Sequence, residues 1–159
     1  MKIVSLRDAS GRDTLGLVLP SDPSRYIDLC ATESSIPSNL LELIKVDPNF
    51  LLVAKAMQSS NPITKQMSGI TFRTLIEHPG KIVCMGLNYA DHAKEGGNAR
   101  PEYPSFFMRG PSSLTAHLAP IIRPSVSDKL DYEAELAFIV GKKARNLTKE
   151  NALNCVAGY

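Results

Sequence analysis

The chain has 159 residues, of which 43% are hydrophobic and 21% are charged, and its formal net charge is +2. These values are typical of a soluble globular protein with about one domain. The net charge is too small to predict binding to nucleic acid or to a membrane surface by electrostatic attraction. No apolar run approaches the roughly 20 residues that a membrane-spanning helix needs. We therefore expect neither nucleic acid nor a membrane as a partner.

The cysteines and the first residues indicate a cellular compartment. Cys30, Cys84 and Cys155 are odd in number, far apart and without CxxC spacing. This pattern argues against a disulfide framework or a zinc site and suits a reducing environment. Residues 1–19 carry charges throughout and lack the apolar region of a secretory signal. Early acidic residues also disfavour a mitochondrial presequence. A cytoplasmic location is predicted, with the mitochondrion left open.

Residues 1–78 are predicted to form a small β-rich N-terminal domain. The runs KIVSLR (2–7) and TLGLVL (14–19) are separated by turn-forming residues, which predicts a hairpin, and RYIDLC (25–30) predicts a third strand. The following segment predicts two short helices and a polar connection: SNLLELIK (38–45) behind a Ser38-Asn39 cap, NFLLVAKAMQSS (49–60), and SSNPITKQMSG (59–69).

Residues 79–159 are predicted to form a second part of the chain. Lys81 to Met85 is a compact β-like run, and a proline-rich passage over 101–124 favours extended connections. Leu130 to Val140 is the clearest strand pattern in the sequence. The C-terminal stretch NLTKENALNCVAGY begins like a helix with Thr148 as its N-cap.

The stretch GLNYADHAKEGG predicts a short helix that Asn88 caps and that the glycines after Glu95 end. His92 and Glu95 are three positions apart and share a face of this helix. A carboxylate beside an imidazole raises the basicity of the imidazole, which is what a general base needs in order to activate water. The spacing also suits an ordinary surface helix. Because the helix is short and flanked by glycines, it could instead order over a ligand as a lid.

Glu133 and Glu135 lie at the start of the strand pattern, two positions apart. In an extended strand they project from one face, while the even-numbered face, from Tyr132 to Val140, is apolar and is predicted to be core. Two carboxylates held close together at the rim of the interior favour a cation between them, and oxygen ligands suit Mg²⁺, Mn²⁺ or Ca²⁺. A solvated edge strand with its glutamates in water remains the alternative.

Four stretches within residues 81–159 together resemble the fumarylacetoacetate hydrolase family. They are KIVCMGLNYADHAKE, PSFFMRGPSSL, IIRPSVSDKLDYEAELAFIVGKKARNL and NALNCVAGY, in this order. The resemblance implies an α+β, mostly β fold: a β-roll or sandwich core, partial in this chain and preceded by the small N-terminal domain. It also implies a homodimer.

The resemblance also implies roles for particular residues. Glu133 and Glu135 would be two ligands of a Mg²⁺ or Mn²⁺ ion, with an aspartate further along the family's chain as the third. His92 and Glu95 would be the dyad that activates water. The substrate-binding residues would be Asn88 and Arg109; many relatives carry a lysine in place of Arg109, and a planar guanidinium makes different contacts.

The implied activity is metal-dependent C–C bond cleavage in small 2-oxo or β-diketo acids, of the acylpyruvate hydrolase or oxaloacetate decarboxylase type. The aspartate ligand falls beyond Tyr159, so we expect the chain to be a truncated piece or to be completed by another polypeptide. The alternative interpretation is a truncated, non-catalytic family member that acts as an interaction or regulatory subunit.

Overall fold

A computed structural model of the chain describes residues 1–99, 101–130 and 134–159. Contacts between Cα atoms divide the chain into two compact units. Unit 1 combines Met1–Ile76 with Thr115–Tyr159, and unit 2 is Glu77–Leu114. Residues 115–159 are thus grouped with the N-terminal residues in unit 1. The predicted domain boundary at residue 78 stays a prediction. No helix in the described residues is long and apolar enough to cross a membrane.

Unit 1 contains a five-stranded antiparallel sheet in the order β4-β3-β2-β1-β5. The predicted hairpin and third strand are confirmed as β1, β2 and β3. The segment predicted as a polar connection contains β4, because its residues pair with β3 through contacts that a local pattern does not show. The strands are β1 (Ile3–Arg7), β2 (Asp13–Leu19), β3 (Asp22–Asp28), β4 (Thr64–Gln66) and β5 (Thr71–Phe72).

Three helices pack on this sheet: α1 (Leu29–Thr32), α2 (Leu40–Val46) and α3 (Leu51–Met57). The predicted cap of α2 is confirmed, since the Asn39 side chain accepts a hydrogen bond of 3.2 Å from the backbone N–H of Glu42. The third strand ends at Asp28, and the residues after it begin α1. The core between sheet and helices is apolar and is formed mainly by Leu15, Leu17, Leu29, Ile36, Leu43 and Val53.

Gly16 lies in the middle of β2, where neighbouring side chains close over it. A Cβ atom added there would lie 2.8 Å from Cδ2 of Tyr26 and 3.0 Å from Cδ2 of Leu6. Both neighbours are fully buried. We expect Gly16→Ala to lower the free energy of unfolding by about 1–3 kcal/mol, as overpacked cores do.

Urea unfolding followed by far-UV circular dichroism measures this effect. Gly80→Ala is the matched control, because a Cβ atom at Gly80 meets nothing within 4 Å. A Gly16→Ala protein as stable as the wild type would show that the sheet adjusts freely at this position.

Unit 2 is built on a hairpin of β6 (Ile82–Gly86) and β7 (Ser105–Arg109), which confirms the strand predicted after Pro79-Gly80. Between the strands lies the helix α4 (Ala90–Glu95). A short 3₁₀ helix over Pro111–Ser113 follows β7.

The end of unit 1 differs from the sequence prediction. Within the described residues, the strand predicted over 130–140 is limited to β8 (Ile139–Val140), which pairs with β9 (Val156–Gly158). The prediction that the even-numbered face is core is wrong for its described members, since Leu136, Phe138 and Val140 are exposed. Alternation alone does not make a strand here, because the described residues supply no layer that covers the apolar side chains.

The predicted C-terminal helix is also shorter than its pattern. Asn151, rather than Thr148, occupies the N-cap position of a 3₁₀ helix over Ala152–Cys155, and the chain then enters β9. The side chain of Asn151 accepts a hydrogen bond of 2.8 Å from the backbone N–H of Thr148. Pairing with β8 therefore overrides the helical periodicity of the last residues.

Candidate functional site

The helix α4 carries the predicted catalytic pair. β6 ends at Gly86, Leu87 adopts a left-handed backbone with φ of 52°, and the helix begins at Ala90. Tyr89 occupies the N-cap position, so the prediction that Asn88 caps the helix is wrong. The helix therefore begins one residue later than the sequence predicted.

His92 and Glu95 are both exposed on α4, while the buried residue of this helix is Ala93. The two side chains lie within one turn of each other, as their spacing predicts. In the part of the chain that the structure describes, no hydrogen bond or ion pair joins them. The helix therefore presents two chemically useful groups to solvent, and their role as a dyad stays a prediction.

An open cavity of about 610 Å³ lies against the other side of α4. Its polar lining comes from Asn88, Lys94 and Asn98, and its apolar lining includes Leu87 and Ala93. At 100° per residue, Ala93 and Lys94 point away from the side that carries Glu95. Of the predicted site residues in unit 2, the cavity includes Asn88 but not His92, Glu95 or Arg109.

Arg109 is the last residue of β7 and pairs with Ile82 across the hairpin. Its side chain is exposed, as are those of the other residues of this strand. Because Gly110 and Pro111 end the strand directly after it, the guanidinium lies at the end of the hairpin, where it is accessible to a carboxylate.

The structure describes only one of the two predicted metal ligands. Glu135 is half-buried in unit 1, whereas Glu133 lies outside the described residues. Among the described residues, no group of three or more His, Cys, Asp or Glu side chains could hold a metal ion. The described residues form no ion pair with Glu135, so its carboxylate is left as a hard oxygen donor of the kind that Mg²⁺ and Mn²⁺ prefer.

A second acidic site, which the sequence did not indicate, lies inside unit 1. Asp28 is fully buried at the end of β3, and Asp8 is nearly so in the β1–β2 turn. Nζ of Lys65, on β4, lies 2.9 Å from Oδ2 of each aspartate, and Arg12 forms ion pairs with both. Thr14 Oγ1 donates a 2.7 Å hydrogen bond to Asp28. We call these five residues the Asp8–Asp28 cluster.

The Asp8–Asp28 cluster already neutralises its own carboxylates, so it is not a vacant cation site. Burial would raise the pKa of Asp28, but hydrogen bonds from Thr14 and Lys65 outweigh it and hold that pKa below its ordinary value. Ser10 and Lys65 lower the pKa of Asp8 in the same way. The Asp28 side chain also accepts from the N–H of Ala31 and caps α1. The cluster joins the β1–β2 turn, three strands and a helix.

These lowered pKa values predict that unit 1 is less stable in acid. The folded chain binds fewer protons than the unfolded chain at Asp8 and Asp28, so their stabilisation is complete above about pH 4 and is lost as the pH falls further. Glu33 adds to the trend, because Lys55 and Ser35 lower its pKa to about 2. The urea midpoint measured at about pH 3 should be lower than the midpoint measured at about pH 6. If Asp28→Asn leaves the difference between the urea midpoints at the two pH values unchanged, Asp28 does not contribute to the loss of stability in acid.

Comparison with known proteins identifies the family. Residues 81–159 match the family described as fumarylacetoacetate (FAA) hydrolase C-terminal. The chain is 36% identical over 160 residues to oxaloacetate tautomerase fahd2, mitochondrial, of Xenopus laevis, covering 100% of this chain and 50% of that protein. It is 35% identical to the fumarylacetoacetate hydrolase domain-containing protein 2 homolog of Dictyostelium discoideum, over 84% of this chain and 44% of that one.

Two solved structures share the fold. An HpcE protein from Mycobacterium smegmatis superimposes with a TM-score of 0.76 at 24% identity, over 98% of this chain and 52% of that chain. The fumarylacetoacetate hydrolase of Exiguobacterium antarcticum gives a TM-score of 0.70 at 27% identity, over 98% and 53%. These matches confirm the mostly β, partial core that the sequence predicted.

The chain belongs to the fumarylacetoacetate hydrolase family. It spans about half the length of the curated relatives it matches. The name of the Xenopus laevis relative places that protein in mitochondria. For the present chain, the cytoplasmic location stays a prediction.

Proposed function

We propose that the chain provides part of a metal-dependent enzyme that acts on small 2-oxo or β-diketo acids. The observation that carries this proposal is the 36% identity along the whole chain to a protein named as an oxaloacetate tautomerase. Oxaloacetate is a small 2-oxo acid of the predicted class. Two reactions are therefore to be tested: the C–C cleavage inferred from the sequence and keto–enol interconversion.

Both reactions need a proton to be moved beside a carbonyl group. His92 is the proposed proton acceptor, since an exposed imidazole on α4 is the side chain type that most often serves as a general base. Glu95, one turn along α4, would hold the imidazole in its productive orientation. Where the reaction is a hydrolysis, the proton would come from the attacking water; where it is a tautomerisation, it would come from the substrate carbon.

The acidic substrate needs cations to hold it. The Arg109 guanidinium can bind a carboxylate through two parallel hydrogen bonds, and the Asn88 amide can donate a further one. Glu135, together with Glu133, would hold the Mg²⁺ or Mn²⁺ ion. Such an ion, when bound, polarises the substrate's oxygen atoms as a Lewis acid. The enzyme would work as a homodimer or be completed by another polypeptide.

Metal binding separates this proposal from a non-catalytic role. We expect the purified chain to bind Mn²⁺ in calorimetry and Glu135→Gln to weaken that binding by about tenfold or more, because one charged ligand is lost. Glu102→Gln is the matched control, since it removes an exposed carboxylate from unit 2. Equal affinities in wild type and Glu135→Gln would contradict the proposed metal site.

Proton NMR of oxaloacetate with Mn²⁺-loaded protein then distinguishes the reactions. Faster keto–enol exchange would support tautomerisation, and faster formation of pyruvate would support C–C cleavage. An unchanged rate of both, with metal bound and other 2-oxo acids also unreactive, would favour the regulatory or interaction subunit.

A further inference from the structure

The turn that ends α4 folds the chain back along the helix and forms one wall of the cavity beside it. The N–H of Gly97 donates to the carbonyl oxygen of Lys94 at 3.0 Å, and the N–H of Asn98 donates to that of Ala93 at 2.8 Å. Gly97 has a φ of 68°, the left-handed conformation that accompanies this pair of bonds. Lys94, Gly97, Asn98 and Ala93 all line the cavity. Backbone hydrogen bonds therefore fix the shape of this wall.

The same turn holds the side chain of Asn98 in place. Its Nδ2 atom donates a hydrogen bond of 3.2 Å to the carbonyl oxygen of Gly96. A Cβ atom at Gly96 would lie 2.8 Å from that Nδ2 atom, so the amide occupies space that glycine leaves open. An amide NH₂ group has two hydrogen atoms, and the bond to Gly96 uses one of them. Asn98 can therefore donate its second N–H to a molecule in the cavity.

The cavity combines a positive charge with an apolar surface. Lys94 is exposed and forms no ion pair within the part of the chain that the structure describes. None of the described residues that line the cavity carries a carboxylate. Leu87 and Ala93 supply apolar contacts. A cation, an amide donor and an apolar wall together suit a small organic anion.

We propose that this cavity binds a small aliphatic carboxylate. The Lys94 ammonium and the Asn98 amide hold the carboxylate group, while Leu87 and Ala93 contact the aliphatic chain. A volume of about 610 Å³ is in the range of small-molecule sites. The single positive charge of Lys94 matches the single negative charge of a carboxylate, whereas a phosphate monoester carries about two at neutral pH.

The carboxylate site is separate from the proposed catalytic pair. Neither His92 nor Glu95 lines the cavity, although α4 carries both of them. A ligand that contacts α4 and the turn after it stabilises the folded helix, because it binds only the ordered state. The cavity is thus placed to regulate the proposed enzyme from the opposite side of α4, and its ligand binding does not depend on that activity.

NMR titration of the ¹⁵N-labelled chain with butyrate tests the proposal. We expect saturable shift changes at the backbone amides of Lys94 and Asn98. Lys94→Met should bind butyrate about tenfold more weakly, because a charge-assisted hydrogen bond is lost while a long, unbranched side chain is kept. Lys81→Met is the matched control, since Lys81 is exposed in unit 2 and does not line the cavity. It should bind butyrate like the wild type.

Gly96→Ala tests the contribution of Asn98 without altering a charge. Gly96 has a φ of −77°, which alanine adopts without strain, so the helix should fold normally. The added Cβ atom would displace the Asn98 amide, and we expect butyrate to bind at least about threefold more weakly. Gly80→Ala is the control for this variant, because a Cβ atom at Gly80 meets nothing within 4 Å.

Butyramide and inorganic phosphate test which feature of the ligand is recognised. Butyramide has the same chain without the charge, and both compounds should bind at least about tenfold more weakly than butyrate. Absence of saturable shifts, unchanged affinity in Lys94→Met or Gly96→Ala, or equally tight binding of either compound would overturn the proposal.

Shift changes centred on Arg109 would also overturn it, because they would place the carboxylate at the proposed substrate contact. The titration uses neither metal nor turnover. A failure here is thus distinguishable from a failure of the proposed enzymatic activity.

Discussion

Replacing His92 by asparagine is expected to lower kcat for the active 2-oxo acid by about 100-fold to 10,000-fold, the usual contribution of a general base. Asparagine keeps a polar side chain but cannot accept a proton near neutral pH. The fold should be unaffected, because His92 is exposed and α4 is anchored through Ala93. The measurement is steady-state kinetics with Mn²⁺, alongside circular dichroism of both proteins.

Asp91→Asn is the matched control for His92→Asn. Asp91 is the preceding residue on the same helix and is equally exposed, and no role in catalysis is assigned to it. We expect its kcat to stay within about twofold of the wild type, since surface substitutions act weakly. Equal rates for wild type and His92→Asn would remove His92 from the mechanism. Equal losses in both variants would point to the helix as a whole.

Replacing Asp28 by asparagine is expected to lower the free energy of unfolding by about 3 kcal/mol. The substitution keeps the shape of the side chain but removes the charge that Lys65 and Arg12 neutralise. Asparagine can keep the bonds from the hydroxyl of Thr14 and the N–H of Ala31, which both end on Oδ1, but an amide NH₂ replaces Oδ2 and faces the two cations. The loss stays at the lower end for a buried pair because both cations also reach water.

Urea unfolding of unit 1 measures the effect of Asp28→Asn. Glu42→Gln is the matched control, because it removes a charge from an exposed pair with Lys45 on α2. Exposed pairs of this spacing contribute at most about 0.5 kcal/mol. If Asp28→Asn and Glu42→Gln lower the free energy of unfolding by the same amount, the Asp8–Asp28 cluster stabilises the fold no more than an exposed ion pair does.

Local chemistry explains which elements the sequence predicted. The β1–β2 hairpin follows from turn residues between two apolar runs, and its turn contains Gly11 at a φ of 84°, a conformation that glycine adopts easily. Helix α2 follows from the Asn39 cap and from apolar side chains on one face. In both cases the residues that determine the structure are within a few positions of each other.

Long-range partners explain the elements that the sequence did not predict. β4 forms because Lys65 lies opposite Tyr26, far away in the chain, and the same Lys65 completes the Asp8–Asp28 cluster. The alternation of 130–140 predicted a long strand with an apolar core face, but among the described residues only Ile139–Val140 is strand and Leu136, Phe138 and Val140 are exposed. The left-handed Leu87 has no signature in its side chain at all.

In the candidate site, too, local spacing predicted some features and long-range contacts determine the others. The spacing of His92 and Glu95 placed both on one helix, and the structure has them there. The spacing could not determine whether the two side chains are bonded, because rotamers depend on what packs against them. Glu133 and Glu135 stay predicted ligands, from their spacing and from family resemblance, and Glu133 lies outside the described residues.

The short hairpin of β8 and β9 has a consequence for the order of folding during synthesis. Ile139 and Ala157 pack against the core whose other members end at residue 76. A nascent chain therefore has the sheet, α1, α2 and α3 available long before the ribosome has released the last pieces of their core. Until then the apolar surface meant for Ile139 and Ala157 is open, so a chaperone that covers it should raise the yield of folded protein.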